Sequence, residues 1–149
     1  LQVDDATVRV LVGQAWGAQS PVVSLAPALY LDIQLPANGQ LRLPAGMAQE
    51  LGLYAVDAAV SVADEMLEPH TMAVLPTDRA LALRASAAPV RCMLVGGDAL
   101  AERRHIWWNF VSTRKERIVQ AASDWEAQRM GQVPGETEFI PLPSHRFRP

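Results

Sequence analysis

Histidine and carboxylate side chains are the groups in this chain that could bind a metal or transfer protons. The three histidines are His70, His105 and His145, and none belongs to an H-x-H or H-x-x-x-H pair. A metal site needs several nitrogen, sulfur or oxygen ligands at suitable spacing. The acidic pairs Asp4-Asp5 and Asp64-Glu65 fall in predicted turns, where solvated carboxylates are expected. The sequence therefore predicts no metal ligand and no catalytic residue in this chain.

Nucleophilic catalysis has no clear signature either. The single cysteine, Cys92, lies in the apolar run at residues 90–95, so we predict a small buried hydrophobe on a strand rather than a reactive thiol. The sequence contains no G-x-S-x-G elbow, no P-loop and no G-x-G-x-x-G fingerprint. A lone thiol cannot close an internal disulfide, and neither a signal peptide nor a membrane-length apolar stretch is visible. We therefore expect a cytoplasmic protein with no membrane partner.

The composition is that of a globular domain. The chain has 149 residues, 50% of them apolar, and a formal net charge of −3. This length fits one domain with its own core. The absence of a basic excess argues against direct nucleic-acid binding.

Strands and turns are predicted over residues 1–111, which we expect to form the β body of the domain. Leu29, Leu31, Ile33 and Leu35 alternate with polar residues, as in a half-buried strand. The Asn38-Gly39 pair that follows predicts a tight hairpin turn. Further short runs, separated by proline and glycine, predict an all-β sandwich or barrel. The predicted core positions after the turn are Leu53, Tyr54, Val56, Val60 and Val62.

A helix is predicted over residues 112–131, followed by an extended tail at residues 132–149. Thr113 and Glu116 have the spacing of a capping box. Ile118 and Trp125 share one helical face, which we expect to pack on the β body, and Gly131 is placed to end the helix. The prolines of the tail exclude a helix there.

Adjacent tryptophans next to a basic cluster form the one stretch that suggests an interaction surface. On a strand, Trp107 and Trp108 would point to opposite faces, so at most one can enter the core. The other is covered within the chain or contacts a partner, and tryptophan is common in binding hot spots. Arg104, Arg114 and Arg117 surround the pair, either as solvated or ion-paired side chains or as a basic contact patch. We take these five residues as a candidate domain or partner interface.

The sequence closely resembles the C-terminal domain of pirin-family proteins. The strongest match is the block H-I-W-W-N-F-V-S-T-R-K-E-R-I at residues 105–118, followed by Asp124-Trp125. Residues 72–75 (M-A-V-L), 95–97 (V-G-G) and 139–143 (F-I-P-L-P) also fit the family pattern. The resemblance covers nearly the whole chain.

The resemblance implies a cupin-like jelly-roll β-barrel, the second of two barrels in one polypeptide. It implies that the N-terminal barrel, absent here, binds iron or another divalent metal, whereas the C-terminal barrel is metal-free. Residues 43–50, where a metal-binding cupin would place H-x-H, contain no histidine and only Glu50 as a possible ligand. His70 replaces a glycine of the family pattern in the turn before M-A-V-L, and histidine tolerates positive φ better than bulky residues do.

Three functions are then open. The parent protein resembles metal-dependent quercetin 2,3-dioxygenase-type bicupins, in which this chain would be structural and interface-forming without a catalytic residue. Alternatively, it resembles the pirins that act as cofactors of transcription or regulators of metabolic enzymes, with this chain as an interaction module. Thirdly, the barrel, lined by Leu53, Val60 and Val74, could hold a small ligand, although a filled core is the simpler expectation.

Overall fold

The chain divides after Ala99 into two units in a computed structural model that describes residues 1–147. The first unit is Leu1–Ala99 and the second begins at Leu100. This division falls earlier than the predicted end of the β body at residue 111. The reason is that the hairpin formed by residues 105–112 pairs only with itself and joins neither of the large sheets of the first unit.

Short strands dominate the described chain, as the alternation pattern predicts. In order they are β1 (Gln2–Val3), β2 (Ala6–Val12), β3 (Gln14–Ala15), β4 (Ala18–Gln19), β5 (Ala28–Leu35), β6 (Gln40–Leu43), β7 (Glu50–Ala55), β8 (Val60–Val62), β9 (Glu65–Leu67), β10 (Met72–Leu75), β11 (Leu81–Ala85), β12 (Val90–Gly97), β13 (His105–Trp107) and β14 (Phe110–Ser112), followed by the helix α1 (Lys115–Glu126).

Two large antiparallel sheets share one core in the first unit, which also contains the two-stranded β3–β4 sheet. The larger sheet has the order β1-β2-β5-β12-β7-β10, and the smaller has the order β6-β11-β8-β9. Leu31 and Ile33 from the larger sheet and Leu41 and Leu83 from the smaller belong to the same cluster of buried side chains. Each of these four residues is 0% exposed. The all-β, jelly-roll prediction is therefore confirmed, with a sandwich whose interior is apolar.

The turn after β5 is present, but it does not connect a hairpin. The amide of Gly39 donates to the carbonyl of Pro36 at 2.9 Å, and Asn38 has a φ of 60°. However, β5 pairs with β2 and β12, whereas β6 pairs with β11 in the other sheet. The predicted hairpin is wrong because this turn carries the chain from one layer of the sandwich to the other.

The predicted core positions are only partly buried. Leu53, Val60 and Val62 point into the core, whereas Tyr54 and Val56 are half-buried. Val74, predicted to line the barrel interior, is 87% exposed. Alternation along β10 places Leu75 inside and Val74 on the opposite face, directly across from Gly52 of β7.

The second unit combines the β13–β14 hairpin, α1 and the tail. The helix is shorter at both ends than the predicted 112–131. Its N-cap is Arg114, without a side-chain cap, so the predicted capping box is absent. Ser112 instead ends β14, and its hydroxyl accepts a hydrogen bond from the Arg114 amide at 3.1 Å. The helix lies against the hairpin of its own unit, where Ile118 is 1% exposed.

The tail contains no helix or strand through residue 147, in agreement with its prolines. Within the same described range, no helix has the length and apolar character needed to cross a membrane.

Candidate functional site

The histidines lie in three different local environments. His70 occupies an exposed turn with a φ of 63°, His105 begins β13, and His145 is exposed in the tail. Across residues 1–147, no group of three or more His, Cys, Asp or Glu side chains is placed to hold a metal ion. Glu50, the other possible ligand, is exposed at the start of β7. That this chain binds no metal stays a prediction.

Large aliphatic side chains fill the interior of the sandwich, where a barrel could otherwise hold a ligand. Leu43, Leu53 and Leu94 are each at most 1% exposed. Cys92 lies among them at 0% exposure. Burial, helped by the negative charge of Asp57, raises the pKa of the Cys92 thiol to about 12. This thiol is protonated at neutral pH and has the character of a core residue rather than a nucleophile.

The outer face of the six-stranded sheet is apolar over half its width. One row across it runs from Met72 through Tyr54 to Met93. The next row runs from Val74 through Gly52 and Val95 to Tyr30. We call these two rows the outer apolar face. Met72 is 56% exposed, and the end of its side chain lies over Gly52, which has no side chain of its own. A groove of about 530 Å³ runs along this part of the face and is lined by Met72, Val74 and Val95 among others.

An ion pair lies beside the outer apolar face. Asp32 on β5 lies directly across from Met93 on β12, in the same row of the outer face. Its side chain is only 4% exposed. Arg91, on β12, lies diagonally across from it and donates to both of its carboxylate oxygens, at 2.8 and 2.9 Å. The outer face thus changes from apolar to ionic between β7 and β2. This surface is not among the sequence predictions, although the apolar residues at alternate positions of β10 are a signal for it.

The tryptophan pair belongs to an aromatic cluster in the second unit. Trp107 is 7% exposed, and its ring centre lies 6.2 Å from that of Phe110. Trp108 is half-buried, with its ring centre 5.1 Å from that of Trp125 on α1. These distances are typical of favourable aromatic pairs. Both tryptophans are covered by neighbours of the same unit.

The two tryptophans do not point to opposite faces. Their ring centres are 6.5 Å apart in an edge-to-face arrangement. The predicted alternation fails because Trp108 is not on a strand: it opens the two-residue turn between β13 and β14, with a φ of 52°. The indole N–H of Trp107 is buried without a hydrogen-bond partner among the residues described.

The arginines of the candidate interface have few partners in the described chain. Arg104 donates to the carbonyl of Glu102 at 2.7 Å. Arg114 and Arg117 are exposed, and within residues 1–147 neither forms a salt bridge. The predicted interface therefore separates into a covered aromatic part and a basic part, in which Arg114 and Arg117 are exposed and Arg104 is half-buried. Its role in binding remains a prediction.

Comparison with known proteins gives a consistent set of matches. The family model described as "Pirin C-terminal cupin domain" matches residues 30–131. A pirin-like protein of Caulobacter vibrioides is 36% identical over 137 residues, which cover 91% of this chain and 46% of that protein. Pirin of Mus musculus is 31% identical over 134 residues, covering 86% of this chain and 46% of the mouse protein.

A solved structure also matches nearly the whole chain. The crystal structure of a quercetin 2,3-dioxygenase from Acinetobacter baumannii aligns with a TM-score of 0.85 at 25% identity, covering 99% of this chain and 50% of that one. The chain therefore spans about half the length of the curated relatives that it matches.

Proposed function

Because this chain belongs to the pirin family as its C-terminal cupin domain, we propose that it is the structural, interface-forming half of a two-cupin protein. The intact protein would be a quercetin 2,3-dioxygenase-type oxidoreductase. Its metal, iron or another divalent ion, would be held by an N-terminal cupin domain. This chain would itself bind no metal and supply no catalytic residue. The observation that carries the proposal is the outer apolar face of the six-stranded sheet.

An exposed sheet face normally carries polar side chains at every second position. Here Met72 is 56% and Val74 87% exposed, and both lie on the same face as Tyr54. Contiguous exposed apolar surface is common at interaction sites, which supports the proposal. The ion pair of Asp32 and Arg91 supplies a polar border on one side, as interfaces commonly have.

The relative lengths support an intramolecular partner. The Caulobacter and mouse relatives each extend over more than twice the length matched here. They therefore have room for a second domain of similar size, and the Acinetobacter dioxygenase chain is likewise matched over half its length. We propose that the equivalent N-terminal domain covers the outer apolar face.

A charge introduced in this face tests the proposal in the intact two-cupin protein. Val74→Asp would place an unpaired carboxylate in the interface, so we expect the intact protein to lose about 1–3 kcal/mol of unfolding free energy. Val23→Asp is the matched control, since Val23 is 90% exposed and lies in the loop before β5. Calorimetric unfolding measures both. Equal effects of the two variants would contradict an interface at Val74.

Two further measurements test the other parts of the proposal: the metal content of this chain and the activity of the intact protein. Elemental analysis of the dialysed 149-residue chain should find far less than one iron, zinc or nickel ion per chain. Stoichiometric metal would mean that this domain is itself a metal-binding cupin. The intact, metal-loaded protein should consume quercetin and O₂, and a protein that leaves quercetin unchanged would remove the dioxygenase assignment.

A second candidate is a protein-interaction module of the pirin type, which regulates transcription or a metabolic enzyme. The exposed Arg114 and Arg117, without salt-bridge partners in the described chain, favour an acidic protein surface as the partner. Reversing both charges to glutamate should abolish pull-down of such a partner. Reversal of Arg84, which pairs with Asp64 in the other unit, is the control. Unchanged binding by the Arg114/Arg117 variant would contradict this role.

A further inference from the structure

A pocket of about 470 Å³ lies in the second unit between the end of α1 and the tail. The ring of Trp125 stacks on that of Phe139, with ring centres 6.0 Å apart and planes inclined by 27°. The indole N–H of Trp125 donates to the carbonyl of Ile140 at 2.7 Å, which fixes this wall. Met130 and Val133 also line the pocket. The volume is in the range of small-molecule sites.

Two glutamates line this pocket, Glu136 and Glu138. Glu136 follows a turn in which its amide donates to the carbonyl of Val133 at 3.0 Å. One oxygen of its carboxylate accepts hydrogen bonds from the amides of Thr137 and Glu138, at 2.9 and 3.1 Å. These bonds lower the pKa of Glu136, so the group is ionised and held in place near neutral pH. Glu138 adds a second negative charge to the lining.

The nearby arginines are engaged elsewhere. Arg129 pairs with Asp124 at 2.6 Å, and Arg146 pairs with Glu126. Among the residues that the structure describes, neither Glu136 nor Glu138 forms a salt bridge. The pocket thus combines aromatic and aliphatic walls with negative charge that no described cation neutralises.

We propose that this pocket binds a small organic cation, a protonated or quaternary amine carried on an apolar body. Aromatic ring faces attract cations, and the attraction is strongest where the cation is partly desolvated. The amine would lie beside the ring of Phe139, which is 42% exposed, and face Glu136 and Glu138, whereas the apolar body would lie against Met130 and Val133. This site is separate from the outer apolar face, so it does not depend on the proposed function.

Titration of the 149-residue chain with benzyltrimethylammonium tests the proposal. The probe carries a quaternary amine on an aromatic ring. The ¹H–¹⁵N signal of the Trp125 indole is the readout, because this N–H lies in the pocket wall. We expect a saturable shift of that signal, weakened by added salt. Benzenesulfonate, with the same ring and the opposite charge, should not produce it.

Variants identify the groups responsible. The double variant Glu136→Gln/Glu138→Gln should weaken benzyltrimethylammonium binding at least five-fold, and Phe139→Leu about three-fold, as expected for partly exposed ionic and cation–π contacts. Glu116→Gln, on the first turn of α1 and outside the pocket lining, is the control and should bind like the parent chain. Unshifted signals elsewhere in the spectrum establish that each variant is folded.

Three results would overturn the proposal: no saturable shift, equal binding of benzenesulfonate, or unchanged binding by the Glu136/Glu138 double variant. Titration with the peptide acetyl-Gly-Arg-Gly-amide tests whether the pocket binds a free amine or a cationic side chain of a protein. Binding of the peptide without binding of benzyltrimethylammonium would also overturn the proposal, since it would make the pocket a docking site for an arginine side chain.

Discussion

Arg91 donates two hydrogen bonds to the carboxylate of Asp32, at 2.8 and 2.9 Å, across the outer face of the six-stranded sheet. The Asp32 side chain is 4% exposed, whereas that of Arg91 is 47% exposed. Arg91→Ala would leave a buried carboxylate without its counter-ion. We expect a lower unfolding free energy, measured by urea denaturation, because a buried charge without a partner is unfavourable.

Arg84→Ala provides the comparison for that prediction. Arg84 pairs with Asp64 at 2.9 Å, but both side chains are exposed, at 51% and 88%. An exposed pair contributes about 0–1 kcal/mol, so this variant should unfold almost like the parent chain. Similar losses in both variants would mean that the burial of Asp32 has no energetic effect.

The Cys92 thiol should be unreactive in the folded chain. A pKa of about 12 in place of 9.0 reduces its thiolate fraction at pH 8 about a thousand-fold. Alkylation by iodoacetamide should therefore be slow in buffer and fast in guanidinium chloride. Rapid labelling of the native protein would show that Cys92 is accessible.

Stability should also depend on Cys92 at alkaline pH. Below pH 9 the thiol is protonated in both the folded and unfolded states, so it adds no pH dependence. Between pH 9 and 12 it ionises only in the unfolded state, and stability falls by about 1.4 kcal/mol per pH unit. The unfolding free energy of the parent chain should therefore decline more steeply from pH 9 to 10.5 than that of Cys92→Ala. Parallel declines would contradict the raised pKa.

His70 has a backbone conformation that suits few side chains. Its φ is 63°, its side chain is exposed, and its amide donates to the carbonyl of Ala55 at 2.8 Å. His70→Val should cost about 1–2 kcal/mol, because a β-branched residue is strained at positive φ. Asparagine tolerates this region, so His70→Asn should change the unfolding free energy by less than about 0.5 kcal/mol. Thermal unfolding of the two variants separates backbone strain from loss of the imidazole.

Trp125 and Trp107 should respond differently to replacement by phenylalanine. Trp125→Phe removes the N–H that donates to Ile140, whereas the N–H of Trp107 has no partner among the described residues. We expect faster amide exchange and faster proteolysis of the tail near Ile140 in Trp125→Phe only. Equal rates of exchange and proteolysis in both variants would mean that ring packing, rather than this hydrogen bond, keeps the tail against Trp125.

The layers of the fold could be predicted from local patterns, but the pairing of strands could not. Leu31 and Ile33 alternate with polar residues, and both are fully buried as predicted. The turn at Asn38 could also be predicted from local sequence, because an Asn-Gly pair favours a tight turn with positive φ. Whether β6 pairs with β5 or with β11 depends on contacts distant in the sequence, so the predicted hairpin failed.

The surfaces were harder to predict than the core. An apolar residue such as Val74 is expected inside, and only the register of β10 with β7 shows that it faces outward. Trp108 leaves the strand alternation because it enters a turn with a φ of 52°. The pocket at Trp125 brings together residues of the helix end and the tail, and nothing in the alternation pattern connects those two segments.

The position of β10 has a consequence for handling this chain. It is the last strand of its sheet, so among the described strands one of its edges has no neighbour. Unpaired backbone amides and carbonyls at that edge, next to Met72 and Val74, are a template for another strand. In concentrated solutions of the isolated chain, self-association should begin there and proceed by edge-to-edge strand pairing. A lysine at position 74 would act as a gatekeeper against precipitation.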